Sequence, residues 1–200
     1  MPTLFLLSPA RSGGPRAGQL ARSSGELGVQ LRAGDALLGH VFVWLSALYF
    51  RGKLTYARAF ADPSPGCEGV LVMAPGLGLC TPETRISDVD LRAMGTVEVE
   101  SEPFVTMLRR DATRIAREIR ADTQVVLLGS IASGKYVDTL IEVFGARLVF
   151  PAEFVGRGDM SRGGMMLRAA RDEKELTYAM VAGAIRRGKR PPKLGRLPRK

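Results

Sequence analysis

The chain has 200 residues, 46% of them hydrophobic, which is enough for one well-filled core and too few for two independent domains with an appendage. Its formal charge of +9 suggests a nucleic-acid partner, yet eight of the basic residues (Arg186, Arg187, Lys189, Arg190, Lys193, Arg196, Arg199 and Lys200) fall at positions 186–200, with no acid among them. Without them, 21 basic residues face 20 acidic ones, which excludes a uniformly basic body; residues 1–185 are read as a single α/β domain and 186–200 as a disordered basic tail.

The opening Met1-Pro2-Thr3 carries no basic segment, and Leu4-Phe5-Leu6-Leu7 is too short for the apolar core of a secretory signal, so a cytoplasmic protein is expected. Residues 3–7 read as a buried strand, ended by Ser8-Pro9 and by the breakers of Arg11-Ser12-Gly13-Gly14-Pro15. Residues 17–31 have helical character. Asp35 is placed to cap a second helix, in which Leu38, Val41, Phe42, Leu45, Leu48 and Tyr49 recur at helical spacing. Gly52 is expected to interrupt that helix, and residues 57–61 to continue it as far as Asp62-Pro63-Ser64-Pro65-Gly66. The apolar run 36–50 is fifteen residues long, short of the about 20 that a membrane span needs, so no membrane partner is expected. His40, inside that run, is read as a packed or surface-edge histidine rather than a catalytic one.

Residues 69–74 form a second strand that opens into Pro75-Gly76-Leu77-Gly78-Leu79-Cys80-Thr81-Pro82. Cys67 and Cys80, thirteen apart and far from His40, fall short of a zinc set, and neither a metal nor a cofactor is predicted. Ser101 is read as the N-cap of a helix with Glu102 and Pro103 in its first turn and an apolar stripe of Phe104, Leu108, Ala112, Ile115 and Ile119. Its opposite face carries Arg110, Arg114 and Arg117 and is read as solvated surface.

The next strand, Val125-Val126-Leu127-Leu128, runs into Gly129-Ser130-Ile131-Ala132-Ser133-Gly134-Lys135-Tyr136, the Gly-x-x-x-x-Gly-Lys spacing of a phosphate-binding P-loop. That loop needs a small hydroxyl after the lysine to hold Mg²⁺, and Tyr136 stands there instead. Three readings stay open: a P-loop enzyme, a glycine-permitted turn in which Tyr136 packs on the sheet, and an anion site built from helical N–H groups with Ser130 and Ser133 and no metal. A helix over 134–144 and a strand over 147–150 follow. Residues 151–164 are read as a loop, with closing strands at 165–169 and 176–181 and a turn at Arg171-Asp172-Glu173.

Within that loop, Gly156-Arg157-Gly158-Asp159-Met160-Ser161-Arg162-Gly163-Gly164 interleaves two guanidinium groups, a carboxylate and a hydroxyl with four glycines. Arg157 or Arg162 can fork onto a phosphate, and Asp159 can act as a general base or accept from a ribose. A surface loop with an internal Arg–Asp pair fits the same residues. Strands alternating with helices predict a three-layer α/β/α sandwich with a largely parallel central sheet. In such a fold both glycine-rich segments meet Ser8 and residues 75–81 at the carboxyl edge. The site expected there comprises Ser8, Gly129, Ser130, Ser133, Gly134, Lys135 and Ser161 as ligand-binding residues and Arg157, Asp159 and Arg162 as catalytic ones, with Tyr49, Arg51 and Lys53 able to close one side.

The segments Leu4-Phe5-Leu6-Leu7-Ser8, Leu48-Tyr49-Phe50-Arg51-Gly52-Lys53, Val70-Leu71-Val72-Met73-Ala74-Pro75-Gly76-Leu77, Pro82-Glu83-Thr84-Arg85-Ile86 and residues 125–140 together resemble a set of bacterial α/β proteins similar to the uracil-DNA-glycosylase-like domain of archaeal tRNA-guanine transglycosylase relatives. The resemblance covers residues 3–150 and implies an α/β/α fold and a link to nucleotides, bases or nucleic-acid modification. It does not imply glycosylase activity, because the Gly-Gln-Asp-Pro-Tyr-type and His-Pro-Ser-Pro-type segments of active uracil-DNA glycosylases are absent.

The leading expectation is a protein that binds a nucleotide-like or nucleic-acid phosphate at the sheet's carboxyl edge, with glycosidic-bond hydrolysis as the first reaction to test. The alternatives are an Mg²⁺-dependent P-loop ATPase or kinase and a non-enzymatic module that binds DNA or RNA through residues 186–200. No feature of the sequence sets an oligomeric state.

Overall fold

The computed structural model describes residues 1–132, 134–186, 188–189, 191–192 and 195. Four short, wholly apolar or nearly apolar runs form the centre of the fold: β1 (Thr3–Leu7), β3 (Val70–Ala74), β6 (Gln124–Leu128) and β7 (Leu148–Pro151). Almost every residue in them is buried, as expected for parallel strands covered on both faces. They pair in parallel in the order β3-β1-β6-β7. Antiparallel edge strands β4 (Gly78–Cys80) and β8 (Tyr178–Met180) complete a six-stranded sheet. A separate ribbon pairs β2 (Ala36–Leu37) with β5 (Arg85–Ile86).

Helices α1 (Pro15–Arg22), α2 (Glu26–Ala33) and α3 (Leu38–Phe60) lie between β1 and β3, and α4 (Asp88–Thr96) and α5 (Glu102–Glu118) precede β6. Next come α6 (Lys135–Phe144) and, beyond β7, α7 (Asp159–Arg171). The α5–α6 and α3–α7 pairs pack as the outer layers of an α/β/α sandwich, as the alternation of strands and helices predicts. Among the described residues no helix is long and apolar enough to cross a membrane.

The chain leaves β1 to one side to make β3, then crosses to the other side of β1 to make β6. That reversal creates a crevice outside the carboxyl ends of β1 and β6, the place where doubly wound sheets bind ligands. A hydrogen bond of 3.1 Å from the Ser8 N–H to the Leu128 carbonyl ties the two strand ends together.

Several sequence expectations are corrected. Ser101 is the N-cap of α5, as expected, with its hydroxyl turned back to the Glu98 carbonyl at 2.6 Å; the others differ. Asp35 does not cap α3; Leu37 does, and Asp35 pairs with Arg85 at 2.5 Å. The break in α3 is at Ala47 (φ 44°, ψ −119°), and the helix runs on through Gly52. Residues 159–164 and 165–169 are neither loop nor strand but one helix, α7, that starts after Gly158. Its glycines serve packing: a Cβ on Gly52 would stand 2.7 Å from the Gly163 carbonyl oxygen, and one on Gly163 would stand 2.6 Å from that of Leu48. Local propensity disfavours glycine in a helix by about 1 kcal/mol each, and this close crossing outweighs it.

A positive φ at a residue with a side chain stores strain of about 1–3 kcal/mol. Ala47→Gly removes it while adding up to about 1 kcal/mol of unfolded-state entropy. The variant is therefore expected to be more stable by about 1 kcal/mol in chemical unfolding, and an unchanged or lower midpoint would show that the kink is relaxed.

Candidate functional site

At the mouth of the β1–β6 crevice, β1 delivers Ser8 and β6 delivers Gly129 and Ser130. Gly129 permits the close approach, since a Cβ there would lie 2.8 Å from the Tyr136 hydroxyl and 2.9 Å from the Ser8 Cβ. Two residues one helical turn apart on α3, Tyr49 and Lys53, reach the same point beyond the kink. The Lys53 ammonium, on a residue only 1% exposed, donates to the Ser8 Oγ at 2.7 Å and to the Ser8 carbonyl at 2.9 Å. It also sits 4.1 Å from the centre of the Tyr49 ring. Burial lowers the Lys53 pKa from 10.5 to about 7; Asp159 pushes it up and Arg162 pushes it further down.

The first turn of α7 supplies the other charges. Arg162 is 9% exposed, with Nε and Nη2 donating to the Phe154 carbonyl at 3.2 and 3.1 Å and Nη1 reaching Asp159 at 3.5 Å. The Asp159 side chain is 64% exposed, at the solvent side of the pair. Tyr136, on α6, is buried and donates to the Ser130 carbonyl at 3.1 Å. Burial raises its pKa, offset in part by Ser8, by Ser130 and by Arg162. Among the described residues the buried Tyr49 hydroxyl has no hydrogen bond of normal geometry, although the Arg162 guanidinium lies close enough to donate weakly to its oxygen. Burial likewise pushes its pKa above the usual phenol range, with Arg162 beside it offsetting part of the rise.

The residues expected from sequence therefore divide. Ser8, Gly129, Ser130, Asp159 and Arg162 gather around one buried polar cluster. Arg157 and Ser161 face each other at 3.4 Å, and Arg157 donates to the carbonyls of Glu153 and Pro192, both at 3.1 Å. Gly134 caps α6 with the Asp138 carboxylate standing over it, 2.5 Å from where a Cβ would be, and Asp138 pairs with Arg186 at 2.6 Å. Arg51 is exposed. Ser133 and the Lys135 side chain lie outside the described residues, as do Arg187, Arg190, Lys193, Arg196, Arg199 and Lys200.

Tyr136 is the member that the sequence did not place among the site residues, and Lys53, expected only to close one side, lies at its centre. Lys53 had a signal: it continues the stripe of Val41, Phe42, Leu45 and Tyr49, where a lysine must enter the core. Tyr136 points inward to a backbone carbonyl, and a phenol so placed supplies no hydroxyl to a metal outside the loop. Among the described residues, no group of three His, Cys, Asp or Glu side chains could hold a metal ion.

Next to Ser8, the segment after β1 borders two hollows that meet where Gly13 packs on Gly95. One, of about 570 Å³, lies between α1 and α4; the other, of about 320 Å³, runs from Ala10 and Arg11 to Pro75 and Val99. The larger falls in the size range of small-molecule sites. Comparison with protein-family models, curated proteins and solved structures gives no match to this chain.

Proposed function

We propose that this protein, in the cytoplasm, binds a nucleotide-like ligand through its phosphate or another anionic group at the carboxyl edge of the sheet, outside β1 and β6. One observation carries the reading: two cations, Lys53 and Arg162, are buried at the topological switch point, while the acid facing them, Asp159, is largely exposed. Buried charge without a buried counter-charge is costly, and an anion entering this point relieves the cost. The hollows beside Ala10 and Ser12 offer room for the body of such a ligand. The resemblance to uracil-DNA-glycosylase-like domains points to the same ligand class. Hydrolysis of a glycosidic bond is the first reaction to assay, with Asp159 orienting water at the mouth and Arg162 holding the anion behind it.

Calorimetric titration with inorganic phosphate, nucleoside mono-, di- and triphosphates and short oligonucleotides tests the proposal. A saturable nucleotide signal is expected without Mg²⁺. It should weaken at least about tenfold in Arg162→Gln, the loss of one charge-assisted hydrogen bond. Binding that requires Mg²⁺ would return the P-loop reading, and binding lost only on deleting residues 186–200 would return the basic-tail reading. Affinity untouched by Arg162→Gln would end the proposal.

A further inference from the structure

The contact between Ser8 and Lys53 has chemical content beyond anion binding. A lysine tied only structurally to the end of β1 needs one carbonyl, and Lys53 has it in Ser8 O at 2.9 Å. The second contact, 2.7 Å to the Ser8 Oγ, places an amine nitrogen in line with a hydroxyl. A neutral Lys53 donates one N–H to the carbonyl and offers its lone pair to the Oγ–H. The amine is held from several sides. Tyr49, one turn earlier on its own helix, lies under it, Asp159 and Arg162 face it from α7, and Tyr136 packs beside Ser8 from α6. The helix crossing at Gly52 and Gly163 fixes the backbone that carries Lys53 and Arg162. The Arg162 guanidinium can only donate to the Tyr49 oxygen, and among the described residues no acceptor takes the phenol proton, so the buried Tyr49 hydroxyl remains as a donor.

We infer that Ser8 is a nucleophile and Lys53 its general base, a serine–lysine pair that transfers the acyl group of an ester to water. The Ser8 Oγ bonds to the ester carbonyl carbon as its proton passes to the Lys53 nitrogen, and the carbonyl electron pair moves onto oxygen. That oxyanion is met by the Tyr49 hydroxyl. Collapse breaks the bond to the leaving alkoxide, which takes the proton from Lys53 and departs as an alcohol. Water then attacks the acyl-serine with Lys53 again accepting the proton, and a carboxylic acid and free Ser8 result. Ser8 is only 6% exposed, so the acyl group that fits is short. An anionic leaving alcohol is favoured by Arg162; that preference rests on the anion-binding reading above, whereas the nucleophile does not.

The test uses p-nitrophenyl acetate, which carries no phosphate, on the full chain, with release of nitrophenolate followed over time and the acetylated peptide mapped by mass spectrometry. A burst followed by slow turnover is expected, with the acetyl group on Ser8. Ser8→Ala abolishes both, and Ser8→Cys restores the adduct. Lys53→Met, which keeps the volume of the side chain, slows acetylation about 100-fold, the usual worth of a positioned general base. The acetylation rate of the native protein climbs with pH through about 7, as Lys53 loses its proton. Acetyl groups confined to surface lysines or to Cys67 and Cys80 would overturn the inference. So would a Ser8 adduct that forms equally fast in a folded Lys53→Met variant. A Ser8 adduct that still forms in an Arg162→Gln variant whose nucleotide binding is lost would separate this activity from the anion site.

Discussion

Lys53→Met is expected to stabilise the protein by about 2 kcal/mol near pH 6.5 and to flatten its stability between about pH 7 and 9. Lys53 is wholly buried and its pKa in the folded chain, about 7, lies below the ordinary 10.5. Below pH 7 both the folded and the unfolded chain carry the ammonium, and the fold bears the full cost of burying it. Above pH 7 the folded chain releases its proton first. The unfolded chain then binds more protons, and stability rises by about 1.4 kcal/mol per pH unit until the unfolded lysine also titrates. In the other direction, that stability is lost as the pH falls through 7.

Methionine has no charge to bury, so the variant starts without the cost, although it leaves the Ser8 carbonyl lacking a donor, which subtracts about 1–2 kcal/mol. Cys80 has a raised pKa, and the unfolded thiol ionises first, so it opposes the trend above about pH 8.5. The difference between wild type and variant cancels it. Urea unfolding at pH 6.5, 7.5 and 8.5 is the measurement. A variant less stable than wild type at all three values would mean that the ammonium is fully compensated, and both readings of the site would lose their electrostatic footing.

Gly163→Ala should cost about 3 kcal/mol. The added Cβ would stand 2.6 Å from the Leu48 carbonyl oxygen and 2.9 Å from the Tyr49 Cα, backbone atoms that cannot turn aside. The two helices must therefore separate, and the residues carried on them are Tyr49 and Lys53 on one and Arg162 on the other. Loss of stability is thus expected together with loss of the Ser8 chemistry and of anion binding. Gly52→Ala meets the same crossing from the other side, 2.7 Å from the Gly163 carbonyl, so the two changes should not add. Gly158→Ala is the control. A Cβ there meets nothing within 4 Å, and its effect should stay within about 0.5 kcal/mol. Equal unfolding midpoints for Gly163→Ala and Gly158→Ala would show that the crossing is wider than described.

Much of this architecture is legible along the chain. Residues 3–7, 70–74 and 125–128 are apolar without alternation, which suits only strands covered on both faces, and that burial implies the parallel sheet and its flanking helices. The apolar stripe of α5 and the start of α6 after Gly134 follow from spacing and from glycine in the same way. Candidate site residues near strand ends, Ser8, Gly129 and Ser130, were accessible by the same logic, because the carboxyl edge of a doubly wound sheet is where ligands bind.

What sequence alone determined here is whatever depends on neighbours a few positions apart: strand identity, helical stripes, turn residues and the α/β class. Tertiary structure decided the rest, because its causes are distant in the chain. Residues 159–164 look like a loop until Gly163 finds Gly52 across a helix crossing that rewards the absence of a side chain. The break in α3 falls at Ala47 rather than at the glycine, and Gly52 serves that contact instead. The pairing of Ser8 with Lys53, 45 residues apart, exists only once β1 and α3 pack. A lysine's local preference is for water, and only the surrounding core turns it into a buried amine whose proton is held loosely enough to be exchanged at neutral pH.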